Sequence, residues 1–159
     1  MYLIGDIGNT EIKICLVNLR YKIVKKIILK TDLITKIYLD KKLKFITKNI
    51  ILKNVLFCSV VPKKFKIIKN YIESKKNIKV KELKQIDLKN RINILVNKKQ
   101  IGSDRVSNAL AVADKNKSYI LIDFGTATTF DVVKKKNYLG GVIAPGIKLS
   151  MKNLSQSTA

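Results

Sequence analysis

The chain has 159 residues and is 47% apolar, which suits one ordinary domain or two small lobes around a real core and excludes compositional disorder. Its 33 Lys plus Arg outnumber 11 Asp plus Glu for a formal charge of +22, yet only Arg20, Arg91 and Arg105 carry the fork that reads bases and phosphates bidentately. The absence of His excludes Ser–His and Cys–His catalytic pairs and every His-ligated metal site, so chemistry falls to carboxylates, hydroxyls, amides, Lys and Arg.

YLIGDI at 2–7 predicts an apolar strand, GNT at 8–10 is turn chemistry, and EIKICLVN at 11–18 alternates as a half-buried strand does. After Leu19-Arg20, YKIVKKIIL at 21–29 is a third strand. Leu33, Ile37, Leu43 and Phe45, set among lysines, predict a helix over 33–48. NVLFCSV at 54–60 predicts a buried strand, and Pro62, tolerated in a first helical turn, opens a helix through PKKFKIIKNYIESK. IKVKEL at 78–83 is a short strand, followed by a polar connection over 85–100. From 101 to 133 only Lys115 and Lys117 interrupt, and Ser103 is placed as the cap of a helix through VSNALAVADKN. YILIDF, GTA and TTFDVV then predict strand, turn and strand. Lys134–Asn137 is a polar hairpin loop, and GGVIAP leads into a final helix from about Ile147. The strand–turn–strand unit at 2–18 recurs loosely at 119–133, which suggests two related halves, divided here as 1–100 and 101–159.

Lysine, isoleucine and asparagine number 30, 24 and 13. All three have A/T-rich codons, so base drift accounts for the basic balance, and the lysines punctuate the elements rather than forming one block. No specific nucleic-acid function is expected; any lysine-driven affinity would fall steeply with salt. Cys15 and Cys58 sit in apolar runs and read as small core residues in a reducing compartment. The first residues lack the signal-peptide pattern, and no apolar run approaches the ~18 residues that span a bilayer. A soluble, cytoplasmic protein without a membrane partner is therefore expected.

Asp6, Glu11, Asp104, Asp123 and Asp131 lie in the segments least eroded by lysine. Asp6 ends the first strand ahead of Gly8-Asn9-Thr10, where glycine lets backbone amides approach a ligand and Asn and Thr add donors. A phosphate fits that concavity, with Asp6 holding magnesium through water; an ordinary hairpin served by Asp and Asn accounts for it at least as well. Asp123-Phe124-Gly125-Thr126-Ala127-Thr128-Thr129 repeats the arrangement, and two such turns in one small chain favour a nucleotide cradle. Gly140-Gly141 and Pro145-Gly146 offer close backbone approach beside a helix start, or plain turn punctuation. Gly102-Ser103-Asp104-Arg105 opens a helix, where a carboxylate is favoured electrostatically. An Arg kept in so lysine-rich a chain points to its planar fork, gripping a carboxylate by two parallel hydrogen bonds. Arg105 would then anchor an acidic substrate whose hydroxyl proton Asp104 accepts.

In order and approximate spacing, DIGNTEIK (6–13), SVVP (59–62), IGSDR (101–105), DFGTATTFD (123–131) and GGVIAPGI (140–147) resemble the motif series of type III pantothenate kinases, over essentially the whole chain. The resemblance implies an α/β fold of the actin-like, ribonuclease H-like two-lobed kind shared by acetate kinase, sugar kinases, heat-shock proteins and actin, here with the second lobe incomplete. ATP with Mg2+ would occupy the cleft. The implied reaction transfers the γ-phosphoryl of ATP to the terminal hydroxyl of pantothenate, the first step of coenzyme A biosynthesis, in a cytoplasmic homodimer that needs K+ or NH4+. Carried over by residue, Asp6, Ile7, Gly8, Asn9, Thr10, Glu11, Ile12 and Lys13 become the first phosphate-binding element, and Thr126 a further ATP contact. Asp104 becomes the proton acceptor, Gly102, Ser103, Asp104 and Arg105 line the pantothenate pocket, and Asp123 binds the monovalent cation. Leu95 stands where the family usually has an aromatic residue lining the substrate site, and Lys98 where it usually has Pro.

Phosphoryl transfer passes through a loose transition state, so positioning and charge neutralisation by Lys13 and magnesium outweigh nucleophile activation, and no His is required. LSQSTA at 154–159 resembles a stretch that continues in the family, so a truncated chain, inactive or poorly soluble by itself, is expected. The alternatives are another small-molecule kinase or ATPase on the same scaffold, a basic nucleic-acid-binding or regulatory protein, and a non-catalytic remnant.

Overall fold

Alternation builds the first unit. Strand β1 (Tyr2–Ile7) buries Leu3 and Ile7, and β2 (Glu11–Val17) turns Ile12, Ile14 and Leu16 the same way, the two pairing antiparallel across the 8–10 turn. β3 (Ile23–Lys30) continues antiparallel to β2, while β4 (Asn54–Ser59) runs parallel to β1 and β5 (Val80–Glu82) parallel to β4. The result is a five-stranded sheet in the order β3-β2-β1-β4-β5. A Cβ at Gly5 would run into the buried ring of Phe57, its parallel partner on β4, so the missing side chain leaves room for an aromatic core residue.

The computed structural model describes residues 1–47 and 50–157. Between β3 and β4 come α1 (Lys36–Lys42), capped by Thr35 Oγ1 accepting the Tyr38 N–H at 3.2 Å, and α2 (Lys44–Thr47). The single helix expected over 33–48 is thus two short ones divided at Leu43, and its last position, Lys48, lies outside the described residues. Ile37 is 83% exposed; Leu39, Leu43 and Ile46 supply the buried face instead. α3 (Pro62–Lys75) connects β4 to β5 with Pro62 in its first turn and buries Ile68, Tyr71 and Ile72 in the same core.

The second unit is a meander of β7 (Ser118–Phe124), β8 (Ala127–Lys134) and β9 (Asn137–Pro145), with β6 (Asn93–Ile94) parallel to β9, in the order β6-β9-β8-β7. The chain divides into Met1–Ile86 and Asp87–Ala159. That moves the boundary from the expected position 100 to 86/87, because Asn93–Ile94 pairs with Asn137–Tyr138 and so belongs to the second sheet. GGVIAP lies within β9 rather than leading out of the hairpin.

α4 (Ser103–Val112) precedes β7. Its N-cap is Gly102 rather than the expected Ser103, which has already entered the helix and is buried. α5 (Ile147–Ser157) follows β9 and has no buried residue; Thr158 and Ala159, which end the LSQSTA motif, lie outside the described residues. Cys15 and Cys58 are not joined in a disulfide and are half-buried rather than in the core centre. No helix among the described residues is long and apolar enough to cross a membrane.

Candidate functional site

The 8–10 turn is braced from outside the hairpin. The Gly8 N–H donates to the Glu11 carbonyl at 3.0 Å, and Thr31, just past β3, donates its hydroxyl to the Gly8 carbonyl at 2.8 Å and its N–H to the Thr10 carbonyl at 3.0 Å. Asn9, Thr10, Glu11 and Lys13 are exposed, whereas Ile7 and Ile12 are wholly buried and offer a ligand only their backbone. Strand register sets Asp6 between Lys13 on β2 and Cys58 on β4. The Cys58 thiol donates to Asp6 Oδ1 at 3.4 Å. Asp6 is half-buried, so it can present a second carboxylate oxygen beside the turn.

In the second unit the first turn of α4 gathers the expected substrate residues. Gly102 caps it, Ser103 is 1% exposed, and Asp104 Oδ1 accepts the Arg105 N–H at 2.8 Å. Arg105 does not stand open as its sequence suggested. Its Nε donates to Asp131 Oδ1 and Oδ2 at 2.9 and 3.1 Å, and its Nη2 to Oδ1 at 2.6 Å. Tyr138 Oη donates to the same Oδ1. The Arg105 and Asp131 side chains are 11% and 1% exposed, which makes this a buried ion pair rather than a surface one. The hydrogen bond to Asp131 holds the guanidinium even more firmly protonated than usual. Burial, then the bond to Asp131, pushes the Tyr138 phenol far above its ordinary value.

The sequence alone gives neither Asp131 nor Tyr138 a role. The available signal was a lone carboxylate between Phe130 and Val132, where a strand has no reason to bury an unpaired acid. One turn further along α4, Asn108 Nδ2 donates to Asp123 Oδ2 at 3.1 Å. Asp123 is exposed, and Thr129, directly across on β8, has a buried Oγ1 with no hydrogen-bond partner among the described residues. An orphan hydroxyl beside a carboxylate is a donor set of hard oxygens, which suits a cation such as K+. Thr126 is exposed in a turn closed by the Gly125 N–H donating to the Ala127 carbonyl at 3.0 Å. Gly146 passes so near that a Cβ there would meet the Thr126 and Gly125 carbonyl oxygens.

Leu95 lies just beyond β6 with its side chain 63% exposed and its N–H donating to the Tyr138 carbonyl at 3.0 Å. Its neighbour Val96 lines a pocket of about 360 Å3 together with Gln100, Arg105, Tyr138, Gly140 and Gly141, so of the expected substrate residues Arg105 is the one on its wall. Among the described residues no cluster of three or more His, Cys, Asp or Glu side chains could cage a metal. A magnesium ion held by one carboxylate, water and phosphate oxygens needs no such cage, and Asp6 fits that role.

A family model for type III pantothenate kinase matches residues 2–159. The chain is 49% identical over 160 residues to the type III pantothenate kinase of Pelagibacter ubique, an alignment covering 100% of this chain and 64% of the relative. It is 37% identical over 123 residues to that of Desulforapulum autotrophicum, covering 76% and 45%. The chain therefore spans less than two thirds of the length of these curated relatives. Among solved structures it resembles a Campylobacter jejuni protein described as a Baf family transcriptional activator (21% identity, TM-score 0.57, 98% and 60% coverage). It also resembles a Porphyromonas gingivalis protein described as an N-acetylglucosamine kinase (14% identity, TM-score 0.54, 99% and 57% coverage). These likenesses show the fold alone, a mixed α/β architecture of the actin-like, ribonuclease H-like kind.

Proposed function

The chain belongs to the type III pantothenate kinase family, and from that membership we propose that its protein transfers the γ-phosphoryl of ATP to the terminal hydroxyl of pantothenate. The observation that carries this reading to the residues is Arg105, a fixed cation on the wall of a pocket of about 360 Å3, next in sequence to Asp104 at the start of α4. Arg105 holds the pantothenate carboxylate, and Gly102, Ser103 and Leu95 border the same region of the chain. Asp104 orients the acceptor hydroxyl and takes its proton late, as a loose transition state requires.

The braced 8–10 turn supports a phosphate-binding role for Asp6–Lys13, through backbone amides, the Asn9 and Thr10 side chains and the Lys13 ammonium. Asp6 would hold magnesium through water, where the ion would supply positive charge against the phosphate oxygens. Thr126 contacts ATP from its own turn. Asp123, with the buried Thr129 hydroxyl across from it, would hold K+ or NH4+. The protein works in the cytoplasm as a homodimer.

The test is ADP release by the complete product of the reading frame, established by sequencing the DNA beyond codon 159. ADP release should depend on pantothenate and on K+ or NH4+, and Asp104→Asn should lower it by about 10^2- to 10^4-fold with the fold intact by circular dichroism. Equal ADP release without pantothenate would overturn the proposal.

A further inference from the structure

Arg105 is held before any substrate arrives. Three elements meet at the clamp: α4 supplies the guanidinium, β8 the Asp131 carboxylate and β9 the Tyr138 hydroxyl. Asp131 and Tyr138 are each 1% exposed, so neither answers to solvent. Strand register sets Gly141 of β9 opposite Asp131, and a Cβ there would lie 2.8 Å from Arg105 Nη2. Bare backbone at Gly141 is what lets the guanidinium come so close to the sheet.

The bonding is lopsided. Asp131 takes the side-on edge of the guanidinium, Nε and one N–H of Nη2. The end-on edge, Nη1 and the second N–H of Nη2, has no acceptor among the described residues. Arg105 also lines the pocket, in company with Tyr138 and Gly141. The end-on edge of an Arg makes two parallel hydrogen bonds to a carboxylate. A free Arg would lose rotamer entropy in doing so, and one already clamped loses little.

We propose that Asp131 and Tyr138 are positioning residues for substrate selection, locking Arg105 so that its end-on edge reads a carboxylate in the pocket beside it. The inference rests on the pantothenate reading and deepens it: the clamp, rather than Arg105 alone, sets the preference for an acidic acceptor. It also pins the first turn of α4, where Asp104 lies.

Calorimetry on Tyr138→Phe and Asp131→Asn would measure the affinities for ATP, for pantothenate and for its neutral analogue with a hydroxymethyl group in place of the carboxylate. Nuclear magnetic resonance would follow the Arg105 Nε–H in the same proteins. Wild type should prefer pantothenate to the analogue. Tyr138→Phe, which keeps the ring and its packing, should cut that preference about ten-fold, leave ATP affinity unchanged and shift the Nε–H signal. Asp131→Asn should cut it further if it folds, and Tyr138→Phe decides the matter if it does not. An unchanged preference in Tyr138→Phe would overturn the clamp while leaving the kinase reading intact. A wild type that binds both compounds equally would show that Arg105 reads no carboxylate. A wild type that binds ATP but neither compound would overturn the pantothenate reading, and this inference with it.

Discussion

Tyr71 of α3 is 3% exposed, and its hydroxyl is buried near the Asp40 carboxylate. Burial, reinforced by the Asp40 carboxylate, pushes the phenol up from 10 to about 12. The fold therefore retains the proton longer than the unfolded chain does. The associated stability is complete below pH ~10 and is lost as pH rises through about 12, a loss on the order of 2 kcal/mol. Urea melts at pH 8 and pH 11.5 should show that loss in wild type relative to Tyr71→Phe, which keeps the ring but has no proton to lose. An equal alkaline loss in both proteins would acquit Tyr71. At the site, single residues were legible in the sequence where their chemistry is local. Asp6 before a glycine turn and Asp104 at a helix start could be read directly. Arg105 could be read as an Arg with a purpose, but not as one already holding Asp131.

Gly5 and Phe57 show how elements decide what a residue is for. Within YLIGDI the glycine looks like a weak point in a strand; across the β1–β4 ladder it is the space that a buried ring fills. Gly5→Ala should cost about 1–3 kcal/mol through overpacking, and adding Phe57→Leu should recover part of it. Strictly additive losses in a denaturant-melt double-mutant cycle would show that the pair does not interact. Elements with a strong local period were legible: β1, β2, β4, α3, β7 and β8 all fall where alternation or the Pro62 start predicts. Those without one were not. Asn93–Ile94 is too short for any period, and its strand character exists only because β9 offers a parallel edge. The 33–48 helix was overextended because lysines tolerate any exposed helical position, so the pattern carries no mark of the division at Leu43.

Across the whole chain, apolar residues are left uncovered on one side of the second sheet. Ile120, Ile122 and Phe124 alternate along β7 at 71%, 51% and 65% exposure, Val142 of β9 is 65% exposed, and α5 buries none of its residues. Tyr119, Leu121 and Asp123 alternate with them, and the Asn108–Asp123 bond marks theirs as the face that α4 covers. An apolar patch of this kind promotes association. Replacing Ile120 and Ile122 with Thr should leave the melt within about 0.5 kcal/mol and reduce concentration-dependent light scattering. A large loss of stability instead would mean that these side chains are packed in solution. The sequence by itself determined the family, the order of the motifs and most strands and turns, because these depend on residues close together in the chain. The tertiary structure decided where the units divide, which acid fills the Arg105 fork and what the pocket presents. Arg105 and Asp131 are 26 residues apart, and their meeting depends on how α4 lies over β8 and on the register of β8 against β9. No local pattern encodes that packing, which follows only from burying the two faces together.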